Sequence, residues 1–169
     1  MAAHLAFAVP QARVIALPET GQGAFSKRGL ALLRDAAQGA DAALVGPGLM
    51  DEDGCKDFVA ALLPLLAHAP VVLDAPAMNA LKGSGARRQA LLLTPHAGEM
   101  AHLMGRSKQD VVADPEQAAT SAALRWNSVV ALKGATTLFA TPAGGRRRHE
   151  GGQLGLVSRA NCPARFPRC

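Results

Sequence analysis

Tyrosine is absent from this sequence, tryptophan occurs once and phenylalanine five times, so aromatics make up only 4% of the chain. Single-stranded nucleic acid is held largely by bases stacked on exposed rings, and this composition has few rings to offer. No apolar run approaches the ~20 residues that a helix needs to cross a bilayer. The short apolar stretch within residues 1–10 has no basic region ahead of it. It therefore does not read as a secretory signal, and the expected location is cytoplasmic. Cysteine is scarce as well: Cys55, Cys162 and Cys169 are odd in number and lack the paired spacing of a disulfide framework or a zinc site.

Acidic residues are missing from the last part of the chain, none following Glu150. The net charge of +5 owes much to Arg146, Arg147, Arg148, Arg159, Arg165 and Arg168, and the central body lies nearer neutrality. Such a basic excess suits the phosphates of a nucleotide as well as those of a polyanion. No nucleic-acid reading motif accompanies it, so nucleic acid is not an expected partner.

What is abundant is Ala, Leu and Val, within a hydrophobic fraction of 49%, in a length that fits one domain with a substantial core. Short apolar runs that end in Gly, Pro or Asp alternate with longer helical patterns, the signature of βαβ units around a mostly parallel sheet. Strands are predicted at residues 12–17, 42–45, 71–73, 90–93, 129–132 and 136–140. Helices are predicted after Ser26, through Leu30, Leu33 and Ala37; after Asp51 or Asp53, through Phe58, Val59, Leu62, Leu63 and Leu66 with a kink at Pro64; over Met100, Leu103 and Met104; and from Asp114-Pro115 towards Trp126. A hairpin turn at residues 142–145 leads into 146–150. The two prolines of residues 161–169 oppose helix and central strand alike, and that tail is expected to be irregular.

Every notable polar motif follows an apolar strand directly, and the carboxyl ends of strands are where open α/β sheets bind ligands. Gly46 and Gly48 permit close approach to backbone, or merely form a tight turn. Asp74 could hold a hydroxyl or a metal, or cap the turn that contains Asn79. His96 and Glu99 stand at a helix start, where free N–H groups favour anions, although Glu99 alone reads better as half of a capping box. Lys133, Gly134, Ala135, Thr136 and Thr137 place a cation, a flexible backbone and two hydroxyls in one turn, chemistry suited to phosphates, though spacing alone favours a β-hairpin with an exposed lysine. His102 reads as a helix-surface residue.

In order, 40–48 (ADAALVGPG), 71–75 (VVLDA) with 79–81 (NAL), 93–99 (LTPHAGE) and 132–136 (LKGAT) resemble the ADP/ATP-dependent NAD(P)H-hydrate dehydratase family over roughly residues 6–157. The resemblance implies an α/β fold, a ribokinase-like three-layer α/β/α sandwich with a mostly parallel sheet, here incomplete. It implies a reaction in which ADP or ATP, with Mg²⁺, phosphorylates the hydroxyl of hydrated NADH or NADPH and the phosphate then leaves. By motif, Gly46, Gly48, Asp74 and His96 would contact the hydrated dinucleotide, and Lys133, Gly134, Ala135, Thr136 and Thr137 would cradle the nucleotide phosphates; no residue is assigned to a metal.

The family continues past its last hairpin into a Gly-Ser-Gly-Asp loop that supplies an anion hole and a catalytic carboxylate. Residues 151–160 here read GGQLGLVSRA, without that Gly-Asp pair. The expectation is a partial domain over residues 1–157, a tail at 158–169 produced by a frameshift or misjoined end, no catalytic residue, and little or no turnover by this chain alone. The other readings are a ribokinase-like small-molecule kinase, which the Thr94 to Glu99 element opposes, and a non-catalytic nucleotide-binding remnant. An incomplete sheet edge would favour a homo-oligomer.

Overall fold

The computed structural model describes residues 2–49 and 52–150. The tail from residue 151 onward, including the stretch where the family pattern has its Gly-Asp loop, lies outside the described residues. A six-stranded sheet runs in the order β1 (Ala43–Val45), β2 (Val71–Leu73), β3 (Leu91–Leu93), β4 (Val129–Leu132), β5 (Thr137–Ala140), β6 (Arg146–His149). The first four strands are parallel, and β5 and β6 return antiparallel. The hairpin between β5 and β6 closes through Thr141 and Gly145, and Gly144 takes φ +84°, a backbone state that glycine adopts without penalty.

Six α-helices accompany the sheet among the described residues: α1 (Ala2–Ala8), α2 (Leu30–Gln38), α3 (Glu52–Leu62), α4 (Ala97–Met104), α5 (Lys108–Ala113) and α6 (Pro115–Trp126). Ser26 begins a 3-10 turn, Lys27–Gly29, that runs straight into α2. Helix α3 buries Cys55, Phe58, Val59 and Leu62, the i, i+3, i+4, i+7 stripe of an amphipathic helix, and Pro64 falls in the tightened turn Leu63–Leu66 that ends it. Helix α6 starts where expected, with Asp114 accepting from Gln117 N at 2.9 Å and Pro115 at the first helical position, where its missing N–H costs nothing. Its alanine face, Ala118, Ala119, Ala122 and Ala123, lets it lie close against β4 and β5.

Two expectations are corrected. Residues 12–17 form no strand: they run irregularly, followed by an isolated antiparallel bridge between Glu19 and Phe25. Their apolar character serves packing instead, with Leu17 set against the core. Strand β5 begins at Thr137 rather than Thr136, because residues 134–136 are bent into the turn.

Register sorts the strand residues onto two faces. Val71, Leu73, Leu91, Leu93, Val130, Leu132, Leu138 and Ala140 point one way and are all buried, in one cluster with Phe58, Met78, Met100 and Trp126. Leu44, Val72, Leu92, Val129 and Phe139 point the other way; Leu44 is 64% exposed and Phe139 37%. Helices α2 to α6, which pack through this cluster, therefore form one layer on one face of the sheet. No helix among the described residues is long and apolar enough to cross a membrane.

Candidate functional site

The carboxyl ends of β1 to β4 deliver their exit residues side by side. Asp74 N donates to Val45 O at 3.0 Å, Thr94 N to Leu73 O at 3.2 Å and Lys133 N to Pro95 O at 2.7 Å, and His96 pairs with Lys133 as a parallel bridge. The ladder thus continues beyond the strands and sets Gly46, Asp74, Thr94, His96 and Lys133 along one sheet edge.

Gly46 and Gly48 play different parts. Gly46 has φ +141° and is buried, and a Cβ there would fall 1.9 Å from the carbonyl oxygen of Asp74. Its lack of a side chain is used inside the protein, where β1 and β2 exit in contact. Gly48, at φ +80°, has nothing within 4 Å of the place a Cβ would occupy, so its backbone is open to a ligand. Sequence alone gave the two glycines one role.

Asp74 begins the 3-10 turn Ala75–Leu81, yet its carboxylate does not cap it. Oδ1 instead accepts from Lys133 Nζ at 2.8 Å and from Thr94 Oγ1 at 2.7 Å. Burial pushes the Asp74 carboxyl up, but the hydrogen bonds from Lys133 and Thr94 and the charge of Lys133 outweigh it, and the group titrates below its ordinary range. The next residue, Ala75, is held at φ +50°, a strained state for a residue with a side chain, and this turns the chain sharply away from β2.

His96 and Glu99 form a reciprocal capping box at the start of α4. His96 Nδ1 accepts from Gly98 N at 3.0 Å and Glu99 N at 3.2 Å, and Glu99 Oε2 accepts from His96 N at 2.8 Å. Because Nδ1 is an acceptor, this network assigns the ring proton to Nε2, which lies 3.7 Å from Glu99 Oε1. Gly98 has a local reason too: a Cβ there would lie 2.9 Å from His96 Cε1, so only glycine lets the ring fold back over the helix start. The capping reading of Glu99 is realised, and His96 shares it.

Two pockets flank this helix start. The first, of about 540 Å³, is lined by Leu49, Pro76, Asn79, His96, Glu99 and His102 among others. Lys82 Nζ lies 3.0 Å from His102 Nε2 at the helix surface. The second, of about 390 Å³, has an apolar floor of Ala97, Val111, Val112 and Leu138 under Lys133, Gly134, Ala135, Thr136 and Arg148. Thr137 begins β5 and is not part of that lining. Sequence reasoning overlooked α5, which supplies Val111 and Val112. Its signal was present in Ser107 and Asp110, which form a second reciprocal capping box. Arg148 pairs with Glu116 and overhangs the second pocket.

Parallel strands flanked by helices, ligand-sized pockets at their carboxyl ends and an antiparallel hairpin at one edge make an α/β fold, and likeness to solved structures identifies that fold as ribokinase-like. A ribokinase-like superfamily protein from Enterococcus faecalis superposes with TM-score 0.69 at 20% identity, over 93% of this chain and 52% of its own. The particular family is shown by sequence: the family model described as NAD(P)H-hydrate dehydratase matches residues 2–156, and the chain belongs to that family. An ADP-dependent (S)-NAD(P)H-hydrate dehydratase from Xanthomonas campestris pv. campestris is 40% identical over 157 residues, covering 92% of this chain and 53% of that protein. The ADP/ATP-dependent NAD(P)H-hydrate dehydratase of Bacillus subtilis, co-crystallised with ATP/Mg²⁺ and soaked with CoA, superposes with TM-score 0.71 at 23% identity, over 93% of this chain and 54% of that one. The chain thus spans about half the length of these relatives.

Proposed function

We propose that this chain carries the binding surface of an ADP/ATP-dependent NAD(P)H-hydrate dehydratase, with hydrated NADH or NADPH in the first pocket and the adenine nucleotide in the second. The observation that carries the reading is the placement of two motifs that the family resemblance singles out, Thr94 to Glu99 and Lys133 to Thr136, against two separate pockets on either side of the α4 start. In this reading His96 offers its Nε2–H to the hydrated dinucleotide, and the loop of Gly46 and Gly48 approaches it through backbone. Asp74 lies at the edge between the two ligands. The turn from Lys133 to Thr137 receives the phosphates, and the apolar floor of the second pocket suits a purine face.

Mg²⁺ would arrive with the nucleotide. Among the described residues no three His, Cys, Asp or Glu side chains gather as a metal cage. The ion would therefore be held chiefly by phosphate oxygens, with the Asp74 carboxylate as the neighbouring protein oxygen, the sparse ligation Mg²⁺ ordinarily accepts. The family resemblance assigns base catalysis to an Asp in a Gly-Asp loop, and no acidic residue follows Glu150 in this sequence. These 169 residues lack that Asp and by themselves are expected to bind ADP without appreciable turnover. Calorimetric titration with ADP, followed by an assay for NADH regenerated from its hydrate, tests both halves. Absence of ADP binding removes the nucleotide site, and brisk regeneration of NADH by the 169-residue chain removes the claim of a missing base.

A further inference from the structure

The second pocket holds two cations in its lining, and both are already matched by acids. Arg148 is paired with Glu116, and Lys133 Nζ sits 2.8 Å from Asp74 Oδ1. The Lys133–Asp74 pair also spans the two pockets: Lys133 lines the second, while Ala75, next to Asp74, lines the first. Its parts are well fixed. The Lys133 backbone is tied to Pro95 at 2.7 Å, Thr94 Oγ1 holds the same Asp74 oxygen at 2.7 Å, and the backbone of Asp74 is packed against Gly46.

We infer that Asp74 is a positioning residue for Lys133, holding its ammonium at the edge between the pockets and competing with nucleotide phosphate for it. The inference rests on the reading of the second pocket as a nucleotide site. An ammonium has three donors, and one is committed to Asp74. Phosphate can use the others, since the Lys133 side chain keeps 41% of its surface exposed. It then meets a pair whose charges cancel rather than a bare cation. The carboxylate keeps the groove from acting as an indiscriminate anion trap, so that capture depends on a ligand that also fits the apolar floor.

The consequence runs opposite to that of an ordinary ligand-binding side chain. Asp74→Asn keeps the shape and the Thr94 contact but removes the charge. In buffer with chelator and no divalent cation, it should tighten ADP binding by about tenfold, the size expected for removing one like charge near a phosphate after solvent screening. The gain should shrink as salt is raised, which a purely structural change would not produce. It should fall to about twofold in a Lys133→Met background, where only bare repulsion is left. Thr94→Val loosens the same carboxylate without altering charge and should shift affinity modestly in the same direction, which covers the case of an unstable Asp74→Asn chain. Weaker ADP binding by Asp74→Asn, or an equal gain with and without Lys133, overturns the inference while leaving the nucleotide site standing. If neither the unaltered chain nor Asp74→Asn binds ADP, the nucleotide reading itself fails and takes the inference with it.

Discussion

The two faces of the sheet are built from the same residue types and meet different fates. On one face Leu93, Val130 and Leu132 lie sealed beneath α4, α6 and the 3-10 turn Ala75–Leu81; on the other, their strand neighbours Leu92 and Val129 remain at least partly exposed. Topology supplies the reason. Strands β1 to β4 are added in one direction, and crossovers of one hand then place every connecting helix on the same side. The strands themselves read VVL and LLL, with no polar alternation, a pattern belonging to parallel sheets covered on both faces. Local sequence therefore prepares two faces, while the order of strands decides which one these helices can reach.

The sharpest way to break that comparison is at Trp126. Its ring is fully buried and its Nε1–H donates to Leu81 O at 3.1 Å. Trp126→Ala should lose about 3–5 kcal/mol in urea unfolding, because a large cavity opens where the helix layer meets the 3-10 turn. A loss under ~1 kcal/mol would mean that this face is no better packed than the other. Adjacent residues of β3 give the intermediate case. Leu93→Ala should cost about 2–5 kcal/mol, whereas Leu92→Ala, on the open face, should cost at most ~1 kcal/mol. Similar midpoint shifts for the two would contradict the assignment of faces. The smallest effect is expected at Leu44, on the open face of edge strand β1, where Leu44→Lys should change stability by no more than ~0.5 kcal/mol. A loss of several kcal/mol there would show that a neighbour covers this face.

Much of the fold was legible because it rests on local signals. The apolar runs of β1 to β4, the Asp114-Pro115 helix start and the hairpin glycines each act within a few residues of themselves. Residues 12–17 misled for the same reason: Val14 and Ile15 carry strand propensity, but no partner strand among the described residues reaches them, and propensity without pairing does not make a strand. The site was legible in its positions and less so in its roles. His96 was recognisable as unusual, yet only coordinates show its Nδ1 committed to the helix cap and its Nε2 set 3.7 Å from Glu99 Oε1.

Sequence by itself determined the residue inventory at the strand ends, the family, and the apolar strands that demand burial. Tertiary structure decided which of those residues meet. Lys133 and Asp74 stand 59 residues apart and become an ion pair only because β2, β3 and β4 are neighbours in register. Gly46 and Gly48 look alike in the chain and part company only when Asp74 closes against one of them. Side-chain chemistry is a local property that can be read along a chain, whereas competition for a charge or a space depends on what the fold brings beside it.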